Sequence, residues 1–326
     1  MNLEREKTIR KATMNTARKT FWDKFYRDLH GHISDIYESR GEVHRLIGNY
    51  DKALLDFELM RSINQKVTNE KKEVDALIAI GIVQTTKGKY DEAERNFTAA
   101  LKITKINNLE KVATCYRHMG KILQLKEKYN DALDLYNKAL KIYDNLNNEH
   151  GRYLVLEYMA SNYRLGKKYT EALSVFGQLL EFYQKGSNKV RLSHAYQEYG
   201  NIYRKIGNKD KATEYYNRAY FLIKETGAQD AMAHLLCNMG LIDFEENKFI
   251  SAKEYFKQSV KLSEKCGMIY IMAVSLLNLS DAYNKLNEKS MAKICIERVL
   301  SMDIKIEGIK QEAQRVLNEI NSNEGR

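Results

Sequence analysis

Few residues in this chain have the types and spacing that chemistry requires. His30 and His32 flank Gly31 and resemble a pair of metal ligands, but no cysteine or clustered carboxylate accompanies them, so a turn is the better interpretation. The sequence contains no glycine-rich phosphate loop and no GxSxG or HExxH motif. No carboxylate pair stands apart from the surface charges as an acid–base couple. We therefore predict no catalytic residue, no metal site and no cofactor, in a protein that is not an enzyme.

The cysteines and the chain's start favour a cytoplasmic protein. The four cysteines have neither CxxC nor Cys/His ligand spacing, which favours free thiols in a reducing compartment; they are Cys115, Cys237, Cys266 and Cys295. Residues 1–10 are charged and lack the apolar stretch of a signal peptide. No apolar run approaches the roughly 18 residues that span a bilayer. A membrane role is not expected.

Charge and composition set broad limits on function. The chain is 44% hydrophobic and 29% charged, which is typical of an ordered protein. The net charge is +10, but lysines and arginines alternate with acidic residues and form no basic stripe. Nucleic acid is therefore not the favoured partner, because a nucleic-acid surface needs clustered cations with interleaved aromatics.

Three residue columns recur seven times along the chain. Alanines repeat at intervals of 40, 39, 40, 40, 40 and 40 residues, at Ala53, Ala93, Ala132, Ala172, Ala212, Ala252 and Ala292. Twelve residues before each stands a small residue, namely Gly41, Gly81, Gly120, Ala160, Gly200, Gly240 or Ser280. Four residues after each comes a large one, namely Phe57, Phe97, Tyr136, Phe176, Tyr216, Phe256 or Ile296. Self-similarity at a fixed period indicates a solenoid of stacked supersecondary units.

Each period contains two helical stripes. In the third unit, apolar and small residues fall three to four apart from Ala113 to Leu123, and again from Tyr129 to Leu140. Short polar breaks separate the stripes, with helix-ending glycines predicted at Gly48, Gly88, Gly166 and Gly207. Each unit is therefore predicted to be an antiparallel helical hairpin. The alanine and small-residue columns would let its two helices approach closely, while the aromatic fills the space towards the next hairpin.

These columns, with turns such as Gly48-Asn49-Tyr50-Asp51-Lys52-Ala53, resemble the tetratricopeptide repeat (TPR). The likeness covers residues 34–304 and implies an all-α fold, a right-handed α-solenoid (superhelix) of seven hairpins. Residues 1–33 and 305–326 are predicted to form flanking helices. The period of 40 exceeds the usual 34, and no unit has the proline that often closes the second helix. Such long repeats are similar to those of Pins-type spindle regulators, Rap-type bacterial regulators and the sensory regions of bacterial signalling proteins.

Both flanking segments carry apolar stripes. Residues 3–29 are predicted to be helical, with an aromatic stripe at Phe21, Trp22, Phe25, Tyr26 and Leu29. This helix is expected to cover the exposed face of the first repeat; the alternative is a docking surface for a partner or for an upstream domain. At the other end, residues 311–320 are predicted to form a capping helix, which a solenoid requires for solubility.

The TPR resemblance implies that the first helices line a concave binding groove. The candidate groove residues are Ile78, Ile82, Arg117, Lys121, Gln124, Glu157, Ser161, Arg164, His194, Gln197, Asn201, Arg204, Asn238 and Asn278. They suggest a groove that is apolar at Ile78 and Ile82, basic in the middle and rich in amides towards the other end. Amides can grip an extended peptide, because each both donates and accepts hydrogen bonds. The cations favour an acidic ligand.

One specific TPR site is excluded. Asn201 and Asn238 resemble two members of the carboxylate clamp that holds chaperone C-termini. The clamp's basic residues are not matched, because Gln197, Val274 and Asn278 stand in their places.

The sequence leaves three functions open. The favoured one is a non-catalytic interaction scaffold that binds an acidic, extended or helical segment of another protein. The second is the sensory or regulatory region of a larger cyclase, kinase or transcription regulator. A Rap-like response-regulator phosphatase or peptide receptor ranks third, because that family carries a helical bundle before its repeats.

Overall fold

The computed structural model describes residues 2–104, 108–186, 188–302 and 307–322, with side chains from residue 20 onward except at 23, 307, 321 and 322. Within these ranges the fold is all-α and contains no strand. The helices are α1 (Asn2–Leu46), α2 (Tyr50–Lys66), α3 (Glu70–Thr86), α4 (Tyr90–Ile103), α5 (Leu109–Leu125), α6 (Tyr129–Asn145), α7 (Glu149–Leu165), α8 (Tyr169–Lys185), α9 (Lys189–Ile206), α10 (Lys209–Thr226), α11 (Gln229–Glu245), α12 (Phe249–Lys265), α13 (Ile269–Lys285), α14 (Lys289–Ser301) and α15 (Glu307–Ser322). None of them is both long enough and apolar enough to cross a membrane.

The chain forms two compact units. The first, Met1–Gly166, contains the hairpins α1–α2, α3–α4 and α5–α6, followed by α7. The second, Lys167–Arg326, begins with α8 and contains the hairpins α9–α10, α11–α12 and α13–α14, followed by α15. Each helix packs mainly on the helices next to it along the chain. This nearest-neighbour packing is that of an α-solenoid, as predicted.

Short turns with one left-handed residue join the helices of a hairpin. Gly48, Gly88 and Gly207 have positive φ, in agreement with the sequence prediction. At the fourth turn Gly166 caps the end of α7 as predicted, but the left-handed residue is the next one: Gly166 has a φ of −75°, and Lys167 has a φ of +59°. Gly166 is instead closely packed, because a methyl group there would lie 3.3 Å from the Asn162 carbonyl oxygen.

The three repeated columns form a socket in the hairpins that lie within one unit. All seven column alanines are fully buried. In five hairpins the aromatic ring lies directly on the glycine of the first helix, so a methyl group on Gly120 would be 2.6 Å from Tyr136, and one on Gly200 would be 2.3 Å from Tyr216. The last hairpin has Ser280 in place of glycine and the smaller Ile296 in place of the ring. Both are buried, and the Ser280 hydroxyl donates to the Ala292 carbonyl at 3.0 Å.

The same rings contact the following hairpin. Phe97 stacks on His118 of α5 with 5.5 Å between ring centroids, and Tyr136 pairs with Tyr158 of α7 at 5.9 Å. These contacts confirm that the aromatic column fills the space between consecutive hairpins. Phe97 and Tyr136 therefore each join the two helices of their own hairpin to the next one.

Both flanking segments are helical, but α1 differs from expectation in two ways. Its aromatic stripe does not cover the first repeat, since all five side chains are exposed, namely Phe21, Trp22, Phe25, Tyr26 and Leu29. The second difference is its length. It runs without a break from Asn2 to Leu46, so the boundary predicted after residue 33 falls within it. The turn predicted at His30, Gly31 and His32 is wrong, because these residues continue the helix and His30 Nδ1 lies 2.7 Å from the Tyr26 carbonyl oxygen. A single glycine costs only about 1 kcal/mol in a helix, which the long helical segments on either side offset.

The C-terminal helix α15 packs on α13 and α14. Ala313, Val316 and Ile320 are buried against the end of the second unit's core. The capping helix was predicted from these same apolar residues.

Candidate functional site

The candidate groove residues lie on the first helices of the repeats, as predicted. In the first unit they belong to α3, α5 and α7, and in the second to α9, α11 and α13. Several of them are engaged in packing or in internal hydrogen bonds. Those engagements divide the candidates into structural residues and residues that remain accessible to a ligand.

The apolar patch predicted on α3 belongs to the core. Ile78 is only 7% exposed and packs in one cluster with Phe97 and Ile122. Ile82 is partly buried against the same cluster. Ile78 is therefore a core residue rather than a groove residue. The sequence could not distinguish the two roles, because an isoleucine on a first helix suits either.

Gln124 and Ser161 form a polar contact between α5 and α7. Gln124 is 2% exposed, accepts a hydrogen bond from the Tyr136 hydroxyl at 2.9 Å and donates to Ser161 Oγ at 3.3 Å. The amide is thus committed to both the socket ring and the next hairpin. Its role is structural, because a buried amide left without partners would be costly.

A cationic cluster lies beside this contact, on α5 and α7 of the first unit. We call Arg117, Lys121, Arg164 and Tyr158 the α5/α7 cluster. The Arg117 guanidinium lies 5.4 Å from the centroid of the Tyr158 ring, and the Lys121 ammonium lies 5.8 Å from it. Burial, with the nearby charge of Arg164 as a second cause, lowers the pKa of Lys121. Three like charges therefore share one partly dehydrated patch.

Two of these cations have no counter-ion within the described part of the first unit. No carboxylate there pairs with Arg117 or Lys121, and Arg117 Nε is buried without a hydrogen-bond partner. The terminal nitrogen of Arg117 donates to His118 Nε2 at 3.2 Å. Burial, and secondarily the charge of Arg117, lowers the pKa of His118 to about 3, so the ring is neutral and accepts this bond.

Tyr158 and His118 were missed from the sequence. Each is the neighbour in sequence of a selected residue, His118 following Arg117 and Tyr158 following Glu157. Both occupy the same repeat position, fourteen residues before the column alanines Ala132 and Ala172. An aromatic ring at this position in two consecutive repeats was the sequence signal that could have identified both residues.

The polar residues of the second unit are largely satisfied within the fold. Asn201 accepts a hydrogen bond from the Tyr216 hydroxyl at 2.6 Å and donates to Glu198 at 3.1 Å. Arg204 pairs with Glu245 of α11 at 2.6 Å. Asn278 lies 3.5 Å from the Cys237 sulfur. The predicted amide-rich stretch is thus mainly a set of contacts between α9, α10, α11 and α13.

Other candidates in the second unit differ in exposure. Gln197 is 8% exposed and therefore buried, Asn238 is half-buried, and His194 is exposed. His194 lies near His234, whose pKa is lowered by burial and, to a smaller degree, by the charge of His194. His234 was also missed, although it stands one period of 40 residues after His194.

The described residues contain no cluster of metal-binding side chains. No three of the histidines, cysteines and carboxylates there form a group that could hold a metal ion. Cys115, Cys237 and Cys295 are buried and Cys266 is exposed, all as free thiols. Burial raises the pKa of Cys115 to about 12 and that of Cys295 to about 11, so both remain protonated and unreactive.

Comparison with protein families matches the repeats directly. One tetratricopeptide repeat model matches residues 75–145 and 152–225, and a second tetratricopeptide repeat model matches residues 233–266 and 273–303. The chain belongs to the tetratricopeptide repeat family. No curated protein matches the sequence. The matched stretches contain every candidate groove residue, whereas α1, α2 and α15 lie outside them.

Several solved TPR-containing and regulatory proteins share this fold. A STAND signal-transduction ATPase with a TPR sensor, from Pyrococcus horikoshii, aligns with a TM-score of 0.66 and 16% identity over 90% of this chain and 45% of that chain. Apo RapI aligns with a TM-score of 0.65 and 15% identity over 88% of this chain and 99% of that one. Aspartyl phosphate phosphatase F from Bacillus subtilis aligns at 0.65 and 14% over 83% and 68%.

At these sequence identities the alignments show that the fold is shared, and they carry no information about a shared activity. This chain spans less than half the length of the STAND ATPase. In the α5/α7 cluster of this chain, the Arg117 guanidinium and the Lys121 ammonium lie over one aromatic ring, that of Tyr158.

Proposed function

We propose that this TPR protein is a non-catalytic interaction scaffold that binds an acidic segment of another protein at the α5/α7 cluster. The supporting observation is that Arg117 and Lys121 lie in one patch without a carboxylate partner. In folded proteins such cations are normally paired with an acidic group or exposed to water. Solenoids present extended surfaces suited to peptides, and free thiols are consistent with a cytoplasmic setting.

The cluster favours a carboxylate ligand for electrostatic reasons. The charge of Arg164 disfavours the ammonium of Lys121, and an incoming carboxylate would relieve that repulsion. The guanidinium of Arg117 can donate to a carboxylate from a terminal nitrogen, and such charge-assisted hydrogen bonds are among the strong ones. Tyr158 supplies an apolar face beside both charges, so a ligand that alternates acidic and apolar residues fits the cluster best.

Peptide binding tests this proposal. Fluorescent peptides that alternate Glu with Leu, and matched peptides with Gln replacing Glu, are titrated with the protein and followed by anisotropy. The acidic peptides should bind more tightly, and their affinity should fall as the salt concentration rises. The variant Arg117→Gln/Lys121→Gln should bind them about 10- to 100-fold more weakly, since two charge-assisted contacts are lost.

A matched control separates local charge from net charge. Lys128→Gln/Lys141→Gln removes the same total charge from two exposed lysines on and before α6. This control should bind as the wild type does. Equal weakening in both variants, or equal binding of Glu and Gln peptides, would rule out recognition by the α5/α7 cluster.

A regulatory role within a larger signalling protein is the second candidate. It is favoured by the alignment of 90% of this chain with under half of an ATPase described as carrying a TPR sensor. A reading frame that continues upstream of Met1 into a catalytic domain would favour this role over an independent scaffold. A Rap-like phosphatase is the third candidate, and we expect no acceleration of phosphoaspartate hydrolysis in a response regulator.

A further inference from the structure

An apolar seam runs along the side of α1 that faces away from the first unit. Its side chains are exposed by between 42% at Leu29 and 72% at Leu46, and they are Trp22, Phe25, Leu29, Ile36, Val43 and Leu46. The opposite side of α1 carries the buried Ser34 and Gly41, which contact Asn64 and Phe57 of α2. The α1 seam is therefore distinct from the surface by which α1 packs into its own unit.

The spacing of the seam is that of a helix that pairs with another helix. Trp22, Leu29, Ile36 and Val43 recur every seven residues, as do the a positions of a coiled coil. Phe25 and Leu46 occupy d positions. A seven-residue period drifts by roughly 20° per heptad around a straight helix. It stays aligned only when two helices wind around each other, so the surface suits a helical occupant.

The exposed area matches the requirement of a stable dimer. Phe, Tyr and Trp side chains can bury roughly 150–250 Å² each. The exposed parts of the seam, with those of Phe21 and Tyr26 at its edge, amount to about 800 Å², which is the share that each partner contributes to a standard interface. Towards the N-terminus the same heptad positions hold Asn15 and Arg18, so the apolar seam begins at Trp22.

We propose that the α1 seam is a homodimer interface, in which α1 of one protomer pairs in parallel with α1 of a second copy. The charges beside the seam set the orientation. The g positions hold Asp28, Asp35 and Glu42, which an antiparallel pair would place against one another. A parallel pair avoids this opposition and places Asp35 opposite the e position Arg40, whose guanidinium also pairs with Asp56 of its own protomer. His32 and Ser39 fill the remaining d positions, and such polar residues within a seam help to fix its register.

Oligomeric state and the emission of Trp22 test the dimer together. Trp22 is the sole tryptophan of the chain and is 45% exposed in the protomer. Sedimentation equilibrium of the full chain, from roughly 1 to 100 μM, should show a dimer with a dissociation constant on the order of micromolar. Tryptophan emission should shift to the blue over the same concentrations as the indole is buried. A monomer with unchanged emission at the highest concentration would overturn the proposal.

Charge substitutions locate the interface. Ile36→Glu/Val43→Glu should weaken dimerisation by more than about 100-fold, because paired seams would bury four unpaired carboxylates. Both positions are exposed in the protomer, so the far-ultraviolet circular dichroism spectrum should not change. Phe221→Glu, at a 66% exposed side chain of α10, is the matched control and should dimerise normally. A dimer that survives Ile36→Glu/Val43→Glu uses another surface and contradicts the proposal.

A cross-link tests the parallel orientation. In a Cys266→Ser background, which removes the exposed native thiol, Val43→Cys should form an intermolecular disulfide under mild oxidation. A parallel pair places the two copies of residue 43 side by side, whereas an antiparallel pair separates them. Dimers that do not cross-link at residue 43 would overturn the parallel arrangement.

Discussion

In the five sockets that contain a glycine, this residue carries a steric requirement that can be measured. A methyl group on Gly200 would lie 2.3 Å from the Tyr216 ring, well inside van der Waals contact. Gly200→Ala should therefore lower the free energy of unfolding by about 1–3 kcal/mol, as overpacking does elsewhere. Urea denaturation followed by circular dichroism measures the change.

Gly31 provides the opposite case within the same protein. It lies inside α1, and a methyl group added there would have no atom within 4 Å, so Gly31→Ala should stabilise the protein by about 0.5–1 kcal/mol through the helix preference of alanine. If Gly200→Ala and Gly31→Ala changed the free energy of unfolding equally, the Tyr216 ring would not be packed tightly against Gly200.

His118 makes stability depend on pH. Its pKa is about 3 in the folded protein, against 6.5 when exposed, because the ring is buried beside Arg117. A depressed histidine pKa gives stability that is complete above pH 6.5 and is lost as the pH falls towards 3. Between pH 6.5 and pH 5 this loss is about 2 kcal/mol.

Denaturation of wild type and His118→Phe at several pH values tests this linkage. Phenylalanine keeps the ring that stacks on Phe97 but cannot bind a proton. The difference in unfolding free energy between the two proteins should shift by about 2 kcal/mol in favour of the variant as the pH falls from 6.5 to 5. A constant difference would show that His118 is protonated equally in both states.

At the scale of elements, consecutive hairpins are joined by ion pairs as well as by rings. Lys126 pairs with Asp91 at 2.8 Å and Lys111 with Asp75 at 2.6 Å. In the second unit, Lys253 pairs with Glu288 at 2.8 Å. Such partly exposed pairs contribute only about 0–1 kcal/mol each. They help to fix the register between neighbours, while the buried rings and alanines supply most of the stability.

The docking of α15 has an electrostatic cost at Asp281. Burial, followed by the charge of Glu312 on α15, raises the pKa of this carboxyl. A raised carboxyl pKa means that ionisation costs stability above that pKa and that the cost disappears as the pH falls. Asp281→Asn should therefore raise the melting temperature at pH 7.5 and have little effect at pH 4.

The control for Asp281→Asn is Glu297→Gln, which alters an exposed carboxylate on α14. It should leave the melting temperature nearly unchanged at both pH values, as surface substitutions usually do. A gain from Asp281→Asn that is independent of pH would contradict the electrostatic explanation.

At the scale of the whole molecule, most of the fold followed from the repeat columns. A column alanine, a small residue and a ring at constant spacing require two close helices and a filled gap, and the hairpins have both. The turn at Gly166 and Lys167 was harder to predict, because glycine is tolerated at either position and packing decided between them. The length of α1 was missed for a related reason, since Gly31 resembles a turn residue but its neighbours favour a helix.

The candidate site was only partly predictable. The repeat register places Arg117, Lys121 and Arg164 on first helices, and the structure brings Arg117 and Lys121 over the Tyr158 ring with the charge of Arg164 near Lys121. The sequence could not reveal that Gln124, Asn201 and Arg204 form hydrogen bonds or ion pairs within the protein. Their partners come from neighbouring helices, and the contacts depend on side-chain geometry. Polar residues in a solenoid serve both its binding surface and its joints, and sequence position alone does not separate the two.

The socket ring has a consequence for how such a chain changes over generations. Tyr136 closes on a glycine earlier in its own period and on a ring in the next period. A gene duplication or deletion of one whole period would therefore place a large column residue against a first helix again at the new junction, with no compensating substitutions in a shared core. Length becomes a trait that can vary in steps of about 40 residues, while the exposed side chains of each copy are free to diverge towards new ligands.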